Sequence, residues 1–206
     1  MRQANTPMAA VVLVTLACAA ATAACASGAR PAGLAPYSPT LGPYVHYEEG
    51  PQVLITVGTF ATRARADSPY FPIEIGLANK DHVRTLVVAR ESFSVQVGDA
   101  EEIPAATVAE VIDGYKALEA DRNLFRSREF TATKFDRYRR VESAFYPNSQ
   151  RRGAIVRDYQ ELPSGTYMLD VLYFRSPGFS LRGQVVRLLV RLRAGDDPLV
   201  VAFKVE

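Results

Sequence analysis

The chain has 206 residues, of which 48% are hydrophobic, 22% charged and 10% aromatic, with 13 glycines and 13 prolines. This composition is typical of a globular protein and excludes a wholly disordered chain, a collagen-like fibre and a polytopic membrane protein. The 24 lysines and arginines nearly balance the 22 acidic residues, giving a net charge of +2, which excludes the strongly basic surface of a dedicated nucleic-acid binder.

An apolar run of ten residues, Met8–Ala17, lies close to the amino terminus, and Arg2 is the only charge among the first 29 residues. The run is too short to cross a bilayer as a helix, which takes about 20 residues. Its length and position are typical of the hydrophobic region of a secretory signal peptide. The sequence therefore predicts export from the cytoplasm.

Both cysteines of the chain follow small residues near the end of this run, in the strings TLAC ending at Cys18 and TAAC ending at Cys25. The second string resembles the lipobox of bacterial lipoproteins, in which the cysteine is diacylated on sulfur and becomes residue one. The resemblance implies a signal peptide at 1–24, lipidation of Cys25 and attachment to the membrane through that lipid. Two alternatives stay open: lipidation at Cys18, and an ordinary secretory signal cleaved after the ATA string that ends at Ala23.

The residues after Cys25 bear on the destination and on the redox chemistry. Ala26 and Ser27 stand where an aspartate retains lipoproteins of the enterobacterial type in the inner membrane, so the resemblance implies the outer membrane, facing the periplasm. Residues 25–44 are rich in proline and glycine, which predicts a tether. Since no cysteine lies beyond position 25, the domain predicted at 45–206 has no disulfide, and its own core must stabilise it.

Alternation with a period of two predicts strands in the first half of this domain. Hydrophobic residues alternate at Gln52–Phe60 and at Phe71–Leu77, where Glu74 lies on the opposite face. A turn at Asn79–Asp81 follows, and strand character continues through Thr85–Arg90 and Ser92–Val97. A β-bulge at the junction of these last two stretches is predicted.

One helix is predicted, over residues 108–125. Thr107 and Glu110 are spaced as a capping box, in which each side chain satisfies a free amide at the helix start. Hydrophobic residues then recur at helical spacing from Val108 to Leu118. Because this helix falls between strands, residues 100–158 are predicted to be an insertion into the β domain.

Basic residues concentrate in the second part of that insertion. Ten Lys and Arg lie between Arg122 and Arg157 against three acidic residues, and aromatic residues are interleaved with them. Such a stretch is typical of a surface for lipid head groups, lipopolysaccharide, acidic glycans or an acidic protein; the alternative is a solvated face with arginines lying over buried rings. The candidate binding residues are Arg137, Arg139, Arg140, Arg151 and Arg152.

Three further strands are predicted at Thr166–Phe174, Val185–Arg193 and Leu199–Val205, the last two joined as a hairpin. In the second of these, hydrophobic residues alternate with arginines, as in an antiparallel sheet with one wet face.

The string LPSGTYML, residues 162–169, resembles the turn into a late strand of immunoglobulin-like and fibronectin-like sandwiches, where a tyrosine bonds back to the backbone. The resemblance makes Tyr167 that corner tyrosine. The fold class predicted is therefore mainly β, an immunoglobulin-like antiparallel sandwich with a helical insertion. The cysteine and tryptophan typical of true immunoglobulin domains are absent from the domain, so only the general architecture is implied.

Residue types and motifs predict no enzyme, catalytic residue, metal site or cofactor. The chain holds two histidines and two cysteines and has no G-x-S-x-G, G-x-G-x-x-G, Walker A or H-E-x-x-H motif. Asp81–His82 is interpreted as a solvated turn, His46 as structural, and Glu101–Glu102 as favourable charge before a helix N-terminus.

Three classes of function follow, in this order: a membrane-anchored, non-catalytic binding module of the envelope; an accessory lipoprotein of a secretion or envelope complex; and a carboxylate-dependent hydrolase. An exposed apolar patch beside the insertion favours the second class. Two carboxyl groups within about 5–10 Å in a pocket favour the third. The residues available to the third class are Asp99, Glu101, Glu102 and Asp158.

Overall fold

The computed structural model describes residues 37–126, 134–148, 155–193, 195 and 197–206. Strands make up 41% and helices 14%, which confirms the mainly β class. The strands are β1 (Thr40–Gly42), β2 (Val45–Glu49), β3 (Val53–Gly58), β4 (Tyr70–Asn79), β5 (Leu86–Ala89), β6 (Phe93–Val97), β7 (Ile103–Pro104), β8 (Arg139–Arg140), β9 (Tyr159–Leu162), β10 (Thr166–Arg175), β11 (Val185–Val190) and β12 (Leu199–Lys204). The helices are α1 (Phe60–Ala64) and α2 (Val108–Gly114), with 3-10 turns at Arg90–Ser92 and Ala120–Leu124.

The largest sheet has six strands in the order β1-β2-β3-β4-β10-β8. Its pairs are antiparallel except β8 with β10, where Arg139 and Arg140 run parallel to Thr166 and Tyr167. The centre is the long pairing of β4 with β10, in which Tyr70 lies opposite Arg175 and Ala78 opposite Tyr167. One sheet curls into a half-barrel, and the finer immunoglobulin-like arrangement is not confirmed.

A second sheet has the order β12-β11-β6-β7, and a third consists of β5 and β9. The predicted hairpin of β11 and β12 is confirmed, with Val185 opposite Lys204 and Val190 opposite Leu199. The predicted alternation in β11 is also confirmed, because Val186, Leu188 and Val190 are buried whereas the arginines between and after them are only partly covered.

The main hydrophobic core takes residues from all three sheets. β3 contributes Val53, Ile55 and Val57, which the sequence placed on one face. Burial of this kind stabilises a domain by roughly 25 cal/mol per Å² of apolar surface, which explains how the fold can exist without a disulfide among its described residues.

A smaller hydrophobic cluster lies on the six-stranded sheet. It consists of Val45, Leu54, Ala78, Phe135 and Leu169, with Leu41, Tyr47, Tyr138 and Tyr167 packed against them. The sheet accepts the Phe135 ring only because position 76 in β4 is glycine: a Cβ at Gly76 would lie 2.6 Å from Phe135 Cε2 and 2.6 Å from Thr56 Oγ1.

The predicted tether at 25–44 is too long at its carboxyl end. The Ser38 amide donates to the Ala202 carbonyl at 2.8 Å, and the Ala202 amide donates to Ser38 Oγ at 2.9 Å. Thr40–Gly42 then forms edge strand β1. Proline and glycine content reflects only the local conformational preference of the chain. Here the pairing of β1 with β2 and the hydrogen bonds between Ser38 and Ala202 of β12 outweigh that preference.

The predicted helix at 108–125 is also too long. The capping box is confirmed, with the Glu110 amide donating to Thr107 Oγ1 at 3.2 Å and the Thr107 amide donating to Glu110 Oε2 at 2.7 Å. The helix ends at Gly114, and Tyr115 is extended, with φ −129° and ψ 104°. Tyr115 is buried in the core, and the chain leaves the helix to place it there.

The described part of the predicted 100–158 insertion contributes side chains to the main core. Val111, Tyr115, Phe145 and Tyr146 are buried in the main cluster with strand residues of the sheets. The bulge predicted at Arg90–Glu91 is the 3-10 turn Arg90–Ser92 instead, and helix α1 was not predicted at all.

Tyr167 does not act as a corner tyrosine in the described structure. Its ring stacks on Phe135 with the planes parallel and the centroids 4.8 Å apart, and no hydrogen bond of its hydroxyl is found among the described residues. The neighbouring G-x-Y spacing is common to many β folds, so the motif alone did not decide the role. Tyr146 is the buried tyrosine whose hydroxyl donates to a backbone carbonyl, that of Ala106, at 2.5 Å.

Candidate functional site

Three of the five candidate arginines lie together at an edge of the six-stranded sheet. Arg139 and Arg140 form the edge strand β8, and Arg137 precedes it by two residues. All three are exposed. Arg151 and Arg152 lie outside the described residues. The edge position follows from the Tyr138–Val141 backbone, since Arg139 N–H donates to the Gly165 carbonyl at 3.0 Å and Val141 N–H to the Tyr167 carbonyl at 2.8 Å.

Next to this edge, cations lie over tyrosine rings. Lys134 Nζ is 4.3 Å from the centroid of Tyr47, and Arg137 Cζ is 5.4 Å from that of Tyr138. Phe135 is buried beneath them. A cation over an aromatic face is attracted by the ring quadrupole. We call this surface the Tyr47 face, defined by Leu41, Tyr47, Lys134, Arg137, Tyr138 and Tyr167.

Two carboxylates temper the charge of the Tyr47 face. Glu49 Oε1 accepts from Lys80 Nζ at 2.5 Å. That hydrogen bond, with Coulombic help from Lys80, Lys134 and Arg137, holds the pKa of Glu49 below its ordinary value. Asp136 is exposed and accepts from the Arg137 amide. The four cations of residues 134–140 nevertheless outnumber these two carboxylates.

A second stack of cations and rings was not predicted from the sequence. The Tyr44 and Phe60 rings meet edge to face with centroids 5.2 Å apart. Arg63 Cζ lies 4.8 Å from the Tyr44 centroid, and Arg126 Cζ lies 4.8 Å from that of Phe60. Helix α1 places Phe60 and Arg63 about one turn apart, whereas Arg126 reaches the Phe60 ring from the segment after the Ala120–Leu124 turn.

A buried polar cluster surrounds Asp121. This carboxylate accepts from Arg65 Nε at 2.6 Å and from the Tyr173 hydroxyl at 3.1 Å, and Asn148 Nδ2 donates to the same hydroxyl at 2.5 Å. Burial, reinforced by the charge of Asp121, raises the pKa of Tyr115 and of Tyr173. Both tyrosines therefore stay protonated at neutral pH, and the cluster joins distant segments rather than supplying a base.

Asp170 is a second buried carboxylate, on β10. It accepts hydrogen bonds from Ser143 Oγ, from the Phe145 amide at 3.0 Å and, through its other oxygen, from the Val171 amide at 2.8 Å. Burial raises its pKa to about 6, although these hydrogen bonds and the charge of Arg90 oppose the rise. The carboxylate holds the 143–145 backbone against β10.

Two of the four carboxylates available to a hydrolase form ion pairs with arginines. Glu102 forms a two-pronged pair with Arg191, one contact being Nη2 to Oε2 at 2.8 Å, and accepts from Ser94 at 2.5 Å. Asp158 pairs with Arg90, whose Nη1 also donates to the Phe145 carbonyl at 3.0 Å. Asp99 and Glu101 are exposed. Structural roles therefore account for the two carboxylates that have partners.

The two histidines lie apart, in structural settings. Asp81 Oδ1 accepts from the Val83 amide at 2.9 Å and the Arg84 amide at 3.1 Å, which closes the turn, and His82 is exposed. His46 is buried with Nδ1 3.3 Å from the Ser38 carbonyl, and burial lowers its pKa. Within the described ranges, no group of three or more His, Cys, Asp or Glu side chains is placed to hold a metal ion.

Exposed apolar side chains cluster around the small β5–β9 sheet. Val87 and Tyr159 are 51% and 55% exposed, and pairing of Val87 with Glu161 and of Ala89 with Tyr159 sets these four residues on one face. Ile155, in the 100–158 segment just before β9, is 76% exposed. An exposed apolar patch beside the predicted insertion is thus present.

None of the helices in the described part of the chain is both long and apolar enough to cross a membrane. Comparison of the chain with protein-family models, with curated proteins and with solved structures found no match.

Proposed function

We propose that the protein is a bacterial lipoprotein of the cell envelope, acylated at Cys25, whose β domain acts as a non-catalytic binding or assembly module. The domain would be held at the outer membrane, facing the periplasm. The observation that carries the proposal is the exposed set of Arg137, Arg139 and Arg140 beside the cation-bearing rings of the Tyr47 face. Such a surface suits an anionic component of the envelope.

The buried polar chemistry supports a binding role in a second way. The carboxylates of Asp121 and Asp170 are enclosed and bonded to the protein's own donors, so each stabilises the fold instead of facing a substrate.

The architectural part of the proposal is an immunoglobulin-like sandwich. Its support is that the six-stranded and four-stranded sheets contribute to one hydrophobic core.

Fractionation of cells producing the full chain tests the anchor. Cys25→Ser should move the protein from membranes to the soluble periplasm, because the thioether-linked lipid is lost. Cys18→Ser is the matched control and should leave the protein in membranes. The reverse pattern would shift lipidation to Cys18, and membrane release by neither substitution would remove the lipoprotein assignment.

Crosslinking in native envelopes tests the binding role. A triple variant with Arg137→Gln, Arg139→Gln and Arg140→Gln should lose the crosslinked component. Added salt should likewise weaken crosslinking of the wild-type protein, because salt screens exposed charges. A crosslinked component retained by the variant would move binding to another surface. Deletion of 100–158 is unsuitable because it would remove core residues such as Tyr115 and Phe145.

A second candidate is an accessory lipoprotein that docks a protein of a larger envelope complex. The apolar exposure of Val87, Tyr159 and Ile155 favours it. Val87→Ser with Tyr159→Ser should then abolish crosslinking to that protein while the arginine variant retains it.

A further inference from the structure

The first described residues lie next to β2, the strand that carries the Tyr47 ring. The Tyr47 amide donates to the Pro39 carbonyl at 3.0 Å, so the first described residues are bonded to the strand that carries the Tyr47 ring. Leu41, in the first strand, packs against the same hydrophobic cluster as Tyr138 and Tyr167. Leu41 therefore joins the first described strand to the Tyr47 face, whereas Ser38 contacts Glu48 and Ala202, on the other side of β2.

The length of that route limits how far the domain lies from a bilayer. A chain spans at most 3.3–3.6 Å per residue, which gives about 45 Å from Cys25 to Ser38 whatever its conformation. A lipid on Cys25 therefore keeps the membrane surface within reach of the domain at all times. The effective concentration of that surface exceeds that of any freely diffusing ligand.

The Tyr47 face has the chemistry of a membrane interface. Tyrosine rings are apolar bodies with a polar hydroxyl and favour the level of the lipid head groups. Lys134 and Arg137 lie over two of these rings, and their charges are of the sign attracted by anionic head groups. Two described carboxylates, Asp136 and Glu49, lie near these cations, and Lys80 pairs with the second.

We propose that the Tyr47 face lies against the anionic head groups of the membrane that carries the lipid anchor. The inference rests on the proposed function and names the partner of its basic surface. Docking by this face orients the domain on the bilayer, so that Lys134 and Arg137 contact phosphate groups.

An introduced tryptophan reports the orientation, because the chain contains none. Tyr138→Trp places an indole on the Tyr47 face, and Tyr159→Trp places one on the β5–β9 sheet as the matched control. The acylated full chain is reconstituted in phosphatidylcholine vesicles with and without phosphatidylglycerol, doped with a lipid spin-labelled at the head group. Quenching of the indole measures contact with the head groups.

The expected result is quenching of Tyr138→Trp in vesicles that contain phosphatidylglycerol, with little quenching of Tyr159→Trp. Adding Lys134→Gln and Arg137→Gln should lower the ratio of docked to undocked protein about fivefold per residue. Arg182→Gln with Arg187→Gln removes the same charge at β11 and should leave quenching unchanged.

Two outcomes overturn the inference while the anchor stands: an unquenched Tyr138→Trp in anchored protein, or quenching equal for both indoles and insensitive to the loss of Lys134 and Arg137. An unquenched indole together with charge-dependent crosslinking to an acidic protein assigns the surface to that protein instead. Loss of the anchor itself is detected separately, because the protein then fails to float with the vesicles, and this overturns the proposed function together with the inference.

Discussion

Replacing Asp170 by asparagine should change the pH dependence of stability. The unfolding free energy of the variant minus that of the wild type should increase as the pH rises. Asp170 is buried, and burial raises its pKa from 3.8 to about 6. The native state therefore binds the proton more tightly than the unfolded state. Stability supplied by the protonated form is present below the unfolded pKa and is lost as the pH rises through the folded pKa.

The size of the effect follows from the shift. Each pKa unit corresponds to about 1.4 kcal/mol, so ionisation of Asp170 in the folded protein costs about 3 kcal/mol in full. Part of this cost is already present at about pH 4, where an unfolded aspartate is half ionised. The difference in unfolding free energy, Asp170→Asn minus wild type, should therefore rise by about 2–3 kcal/mol from about pH 4 to about pH 7.

Equilibrium urea unfolding at a series of pH values measures this difference. Burial lowers the pKa of His46, which makes the stability of both proteins pH-dependent, but this contribution cancels in the subtraction. Carboxyls with lowered pKa values, such as Glu102 and Glu110, lose their contribution as the pH falls through and below their ordinary value of 4.5, and this contribution cancels in the same way. Asp113→Asn, an exposed site on α2, is the matched control and should give a far smaller change. A flat or falling difference for Asp170→Asn would refute the reasoning, because the hydrogen bonds and Arg90 would then outweigh burial.

Two further predictions concern packing and capping. Gly76→Ala should lower the unfolding free energy by about 1–3 kcal/mol, because the new Cβ would lie 2.6 Å from the Phe135 ring. Gly42→Ala is the control: a Cβ there has no atom within 4 Å, so the unfolding free energy should change by less than about 0.5 kcal/mol. Equal effects of the two substitutions would remove the steric explanation. Thr107→Ala should cost about 1 kcal/mol in urea unfolding by removing the α2 cap, and an unchanged midpoint would show that tertiary contacts alone hold that helix.

The strands were predictable because burial imposes a local period. Val186, Leu188 and Val190 occupy every second position, with Arg187 and Arg191 among the residues between and after them. A strand turns alternate side chains to one face, so the pattern survives in the structure. The α2 start was predictable for a similar reason, since the Thr107–Glu110 box acts within four residues. Helix α1 has only five residues, too few to show a helical period.

The candidate site was predictable only as a composition. Local charge counting identified Arg137, Arg139 and Arg140, and the structure places all three at one sheet edge. Charge counting gave no sign that Lys134 would lie over the Tyr47 ring, because the strand pairings that bring these segments together join residues far apart in the chain. The Arg65–Asp121 pair was missed for the same reason.

By itself, the sequence determined the mainly β class and most strand positions, since each depends on the hydrophobicity and spacing of neighbouring residues. Tertiary structure alone decided the six-stranded order, the end of α2 at Gly114 and the inclusion of Ser38–Gly42 in the fold. These features depend on contacts between residues far apart in the sequence. The free energy of those contacts outweighs local conformational preference, and no short stretch of the chain predicts it.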